Sequence, residues 1–123
     1  MVASFDWVTL HQKLGFALVV LAVVGALVAL VSLVTPFVGV VLKIYLRLLF
    51  LAVVVQAILG GVLYLMGNRP AYGLHYLYGA GMAATLGITF AVSRRTPWPL
   101  CKIPLIIGAI VAVIFAVLAL VSG

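Results

Sequence analysis

The polar residues of this chain fall into four clusters, separated by runs of nearly unbroken apolar sequence. The first run goes from residue 14 to 34, with Ser32 its one polar member. At a rise of about 1.5 Å per residue, such a run crosses a hydrocarbon core of about 30 Å. Thr35-Pro36 reads as its end, because proline lacks a backbone donor and disfavours helix in the residue before it. Residues 37–47 are apolar but carry Lys43 and Arg47, and they read as a turn followed by the wet first turns of a second helix. Gln56 is the one strongly polar side chain of the second span. It reads as a hydrogen bond to a neighbouring helix, since a lone amide in hydrocarbon is costly.

Gly67-Asn68-Arg69-Pro70 reads as a turn and a helix start, with Pro70 at the first helical position. The third run is rich in small residues: Gly73, Gly79, Ala80, Gly81, Ala83, Ala84 and Gly87. Small residues let membrane helices approach closely or leave room for a flat cofactor. A basic, proline-rich loop follows at residues 93–99, with Trp98 as an interfacial anchor, and Pro104 fits the start of a short last run. The predicted spans are 10–35, 44–66, 71–93 and 104–121, in one integral membrane domain covering 1–123. Short connections predict an all-α, four-helix, up-down-up-down transmembrane bundle.

Composition narrows the class. The chain is 68% hydrophobic and 7% charged, with a mean hydropathy of +1.49. A soluble domain has about a quarter charged residues, so the expected surroundings are a lipid bilayer. The net charge of +6 would suggest nucleic acid in a soluble protein. Here the basic residues sit at the ends of apolar runs, which points to topology and anionic headgroups and away from nucleic acid. Lys43, Arg47, Arg94, Arg95 and Lys102 share one predicted side, against Lys13 and Arg69 on the other. The positive-inside rule then puts both termini outside the cytoplasm, in a multi-pass protein of the cell inner or plasma membrane. The start of the chain lacks a basic n-region and does not read as a cleavable signal, so Met1 or Val2 is expected to begin the mature protein. Ser4 reads as a helix cap, with Asp6 in the first turn and Trp7 as an interfacial anchor. The single cysteine, Cys101, excludes an internal disulfide and is a poor metal ligand alone.

The candidate chemistry lies in the two histidines. His11 opens the first run and His75 the third, each followed four residues later by glycine, Gly15 and Gly79. Spans one and three run in the same direction, so both imidazoles are expected near one membrane face. In a ring of four helices visited in order, one and three stand diagonally across the core. Two imidazoles at similar depth could then hold a haem iron from both sides. Residues i and i+4 share a helix face, so Gly15 and Gly79 would leave room for the porphyrin. Lys13 and Arg69 could meet the haem propionates. Tyr72, Tyr76 and Tyr78 read as an aromatic belt, with Tyr76 also placed to touch a propionate or a quinone.

Three other readings stand beside this one. The histidines could be interfacial groups that snorkel or cap, with the glycines serving helix packing. A chlorophyll-type pigment needs only one axial imidazole, which leaves the pairing unexplained. Quinone binding is the third. No nucleophile–base pair, carboxylate pair, phosphate loop or zinc pattern is present, so no enzyme is expected.

Through His11, Gly15, His75 and Gly79 the chain resembles the small bis-histidine four-helix membrane cytochromes b, and also one half of a haem A synthase. The resemblance covers the bundle layout and no long motif. Such cytochromes often carry two haems on four histidines, whereas this chain has two histidines and room for one such haem. The resemblance implies one bis-histidine haem b. The expected role is a small electron-transfer or accessory subunit of a larger membrane complex, facing a quinone or another redox partner. The competing expectation is a cofactor-free structural or assembly subunit of such a complex.

Overall fold

The computed structural model describes residues 6–70, 72–98 and 100–123. These form four helices: α1 (Trp7–Val31), α2 (Pro36–Leu65), α3 (Leu74–Arg95) and α4 (Lys102–Ser122), with no strand among the described residues. Each is long and apolar enough to cross a membrane. No more than 33% of any apolar window is buried inside the chain. Large apolar side chains such as Leu27, Leu51, Ile88 and Ile107 are left on the outside. An apolar exterior of that extent suits lipid, since water-soluble monomers rarely expose large contiguous apolar patches.

The helix limits differ from the sequence expectation at two places. α2 starts at Pro36, so residues 37–43 are helical and the turn is confined to residues 32–35. Proline at the first helical position loses no hydrogen bond, because that N–H has no helical partner anyway. Pro36 therefore opens α2 as well as closing off α1. α3 starts at Leu74 and not at Pro70, which lies in a non-helical segment after the turn at Gly67. Gly67 has φ 87, the left-handed region where glycine carries no Cβ penalty. Ser4 and Ala71 lie outside the described residues.

α1 packs against α2 and α4, and α3 against α2 and α4. Among the described residues, α1 and α3 have no Cα pair within 8 Å. The seam between α2 and α3 is the sparsest of the four. Starts and ends of neighbouring helices meet. Lys102 Nζ, at the start of α4, donates to the carbonyl of Ser32 just past α1 (3.2 Å). Tyr45 of α2 crosses to α1 and donates its hydroxyl to the Leu21 carbonyl (2.6 Å), over the space left by Gly25.

Packing is dense at the Lys102 end, where Leu42, Leu46, Leu86 and Leu105 are fully buried. On α4, Gly108, Ala109, Ala112 and Ala116 form a small-residue stripe that lets α1 and α3 close in. The tightest approach is at Gly108, where an added Cβ would lie 2.1 Å from Thr89 Oγ1 and 2.9 Å from Thr89 Cβ. Thr89 is buried and branched at Cβ, so it has no flexible end to swing away. Gly108→Ala is expected to force α3 and α4 apart and destabilise the bundle by about 1–3 kcal/mol. Gly61→Ala, at a position with open space, is expected to be neutral or mildly stabilising. Thermal unfolding of both variants in one detergent checks the contrast.

Candidate functional site

Helix α1 is capped by Asp6, whose carboxylate accepts from the Thr9 N–H (3.1 Å) and from the Thr9 hydroxyl. These bonds, the hydroxyl's first, hold the exposed Asp6 carboxyl below the ordinary carboxylate range. The cap places the helix start a full turn before His11, whose imidazole is half-buried among the helices.

His75 is the second residue of α3, closer to the helix start than the sequence suggested. Its N–H donates to the Tyr72 carbonyl (3.1 Å), and the Tyr72 N–H donates to the Ser122 carbonyl (3.3 Å). The beginning of α3 is thereby tied to the end of α4. His75 Nδ1 lies 2.7 Å from the carbonyl of Ala119. A carbonyl can only accept, so Nδ1 carries a proton, and in the neutral imidazole the lone pair is then on Nε2. Metal-binding histidines are commonly oriented by such a bond on the second ring nitrogen.

The two imidazole centroids are 6.0 Å apart, with ring planes at 75°. The side chains meet although the backbones of α1 and α3 do not. Metal–imidazole bonds of about 2.0–2.1 Å, plus roughly 1.1 Å from nitrogen to ring centre, put the centroids about 6.2–6.4 Å apart when one metal stands in line between two imidazoles, slightly more than the separation here. Among the described residues no group of three or more His, Cys, Asp or Glu is placed to hold a metal ion.

Both rings border a partly open cavity of about 1000 Å³ at this end of the bundle. Binding sites for small molecules fall at about 300–1,000 Å³. Its floor is Leu18, Val53, Met82 and Ala116, one buried residue from each helix. At its mouth Arg69 lies over the Tyr64 ring (3.6 Å to the centroid), and Tyr64 stands edge-on to Tyr76 (5.8 Å). Tyr76 in turn flanks His75 (6.2 Å).

The cavity brings together His11, His75, Gly15, Gly79, Arg69 and Tyr76; Lys13 is exposed and lies off its wall. The two predicted glycines do different things. A Cβ at Gly79 would meet nothing within 4 Å, so Gly79 borders open space. A Cβ at Gly15 would lie 3.2 Å from Gln56 Nε2. Gly15 thus lets the Gln56 amide reach across and donate to the His11 carbonyl (2.7 Å). The glycines that make room for the imidazoles themselves are Gly60 and Gly123: an added Cβ would lie 3.2 Å from His11 Cε1 at the first and 2.9 Å from His75 Nδ1 at the second. Neither was visible in the sequence, because each acts across a helix–helix seam. Gly60 adjoins Gly61 in the apolar run of α2, and that pair was the only signal.

Two polar atoms here are buried without a partner among the described residues: His11 Nδ1 and Gln56 Oε1. Each such atom costs about 1–3 kcal/mol. A core built only for packing has little reason to keep them beside a cavity. No family model matches the chain, nor does any curated protein or any solved structure.

Proposed function

We propose that this protein is a small integral membrane b-type haem protein with one haem held between His11 and His75. We further propose that it acts in electron transfer or as an accessory subunit of a larger membrane complex. One observation carries the reading. Two imidazoles from helices whose backbones stay apart meet at 6.0 Å beside a large cavity, one of them anchored through Nδ1. His75 offers Nε2 with its orientation set by Ala119, and His11 offers the second imidazole from across the bundle. Gly79 leaves open space on the His75 side, and Arg69 with Tyr76 stands at the mouth to receive carboxylates. Lys13 has no part in this arrangement. A haem ligated on both faces supplies outer-sphere electron transfer, because neither axial position is open to a substrate.

The bundle is read as up-down-up-down. The meeting of helix starts with the ends of their neighbours, at Ser32–Lys102 and Tyr72–Ser122, supports this. Five basic residues then lie at one end against two at the other, which favours termini outside the cytoplasm. Cysteine introduced at Arg95 is expected to resist membrane-impermeant thiol reagents in intact cells and to react after permeabilisation, in a Cys101→Ser background. Ready labelling from outside would reverse the orientation.

The haem content of protein purified from haem-replete cells tests the main reading. About one haem per chain is expected. A colourless protein that remains folded favours the cofactor-free structural subunit.

A further inference from the structure

A second groove, of about 530 Å³, lies at the other end of the bundle between α2 and α3. It is lined by Lys43, Arg47, Phe50 and Leu51 from α2 and by Phe90 and Arg94 from α3. Its chemistry is graded along both helices. On α2, Lys43, Arg47 and Leu51 stand at successive i+4 positions, so two cations are followed by an apolar side chain towards the middle of the bundle. On α3, Arg94 and Phe90 repeat the order from the helix end inwards. Phe50 and Phe90 close the inner end edge to face, at 5.7 Å.

Among the described residues the three cations have no acidic side chain beside them: the one acidic side chain of the sequence, Asp6, caps α1 at the histidine end. Lys43 and Arg47 lie on the first half of α2, and their long stems let the charged ends snorkel outwards to headgroup level. Arg94 lies in the last turn of α3, where the helix dipole also favours a positive charge.

We propose that this groove binds an anionic phospholipid, its phosphate held by Lys43, Arg47 and Arg94 and an acyl chain lying against Leu51, Phe50 and Phe90. Basic pockets between membrane helices recognise anionic headgroups in this way. The apolar inner half commits the site to a lipid over a free phosphate ion. The sparse α2–α3 seam, which lacks the small-residue stripe of the α3–α4 seam, leaves the groove open to the bilayer. This site is independent of the haem reading.

Thermal unfolding of the whole protein in detergent, with added phosphatidylglycerol, phosphatidylcholine or inorganic phosphate, tests it. Phosphatidylglycerol is expected to raise Tm by about 4 °C or more, and the other two to leave it unchanged. Arg47→Gln/Arg94→Gln is expected to lose most of that rise. Arg95→Gln, in the same last turn of α3 but off the groove, is expected to keep it. Equal stabilisation by phosphatidylcholine or by inorganic phosphate overturns the proposal, as does a full rise in the double variant. Native mass spectrometry of the unaltered protein from mixed micelles does not depend on the variants folding. One phosphatidylglycerol retained per chain against an excess of phosphatidylcholine is expected, and adducts that follow the mixing ratio overturn it.

Discussion

Replacing His75 by alanine is expected to remove six-coordinate haem altogether, leaving a five-coordinate, ligand-accessible iron or an empty bundle. The imidazole is held at its site by the Ala119 carbonyl and by the ties between Tyr72 and Ser122, so no neighbour can take its place. His11→Ala is expected to do the same, since one haem needs both ligands. The two variants should nevertheless differ in residual affinity. His75 keeps an oriented ring with Nε2 available, whereas His11 Nδ1 has no partner to orient it. His11→Ala should therefore retain the more haem of the two, in high-spin form. Haem affinity of a bis-histidine site is expected to fall by at least about tenfold on loss of one ligand, equivalent to about 1.4 kcal/mol. An unchanged spectrum for His11→Ala would exclude the diagonal pair and require another partner for His75.

Gly79→Leu is the second large effect. A side chain there enters the cavity from α3, one turn along from His75, where nothing stands within 4 Å. The protein without cofactor should tolerate it, because leucine favours helix over glycine by roughly 0.5–1 kcal/mol and meets open space. Cofactor retention should fall at least about tenfold, since a planar ring and a leucine cannot share the same volume. Gly87→Leu, two turns further on and off the cavity wall, should be mild in both respects. Comparing haem retention with thermal stability of the cofactor-free protein separates a filled cavity from a damaged bundle. If both variants keep haem like the parent, Gly79 does not border the cofactor.

The four helices were legible because apolar runs of membrane length have no other comfortable environment. Their limits were less so. Lys43 and Arg47 interrupt the hydropathy pattern and read as a wet turn, yet a helix continues on backbone bonds whatever its side chains carry. Pro36 signals a stop to the residue before it and a start to the helix after it, and the sequence does not say which dominates. At the other connection, Pro70 had the composition of a helix start, but α3 begins only at Leu74. The two histidines could be placed near one membrane face from span direction alone. Their meeting at 6.0 Å depended on packing that local sequence does not encode.

The surroundings of the histidines were harder to read for the same reason. Spacing of four residues put Gly15 and Gly79 on the faces of His11 and His75. It did not show that Gly15 admits the Gln56 amide, or that Gly60 and Gly123 make room for the rings. The Gln56 bond to a neighbouring helix was expected in kind, and its partner, the His11 carbonyl, became apparent only from the cross-seam geometry.

The most direct test is the visible spectrum of the reduced, purified protein with and without carbon monoxide. Ligation by both His11 and His75 requires the sharp bands of a six-coordinate, low-spin b haem, unchanged by the gas because both axial positions are filled. A colourless protein from haem-replete cells, or a haem that binds carbon monoxide readily, would contradict it.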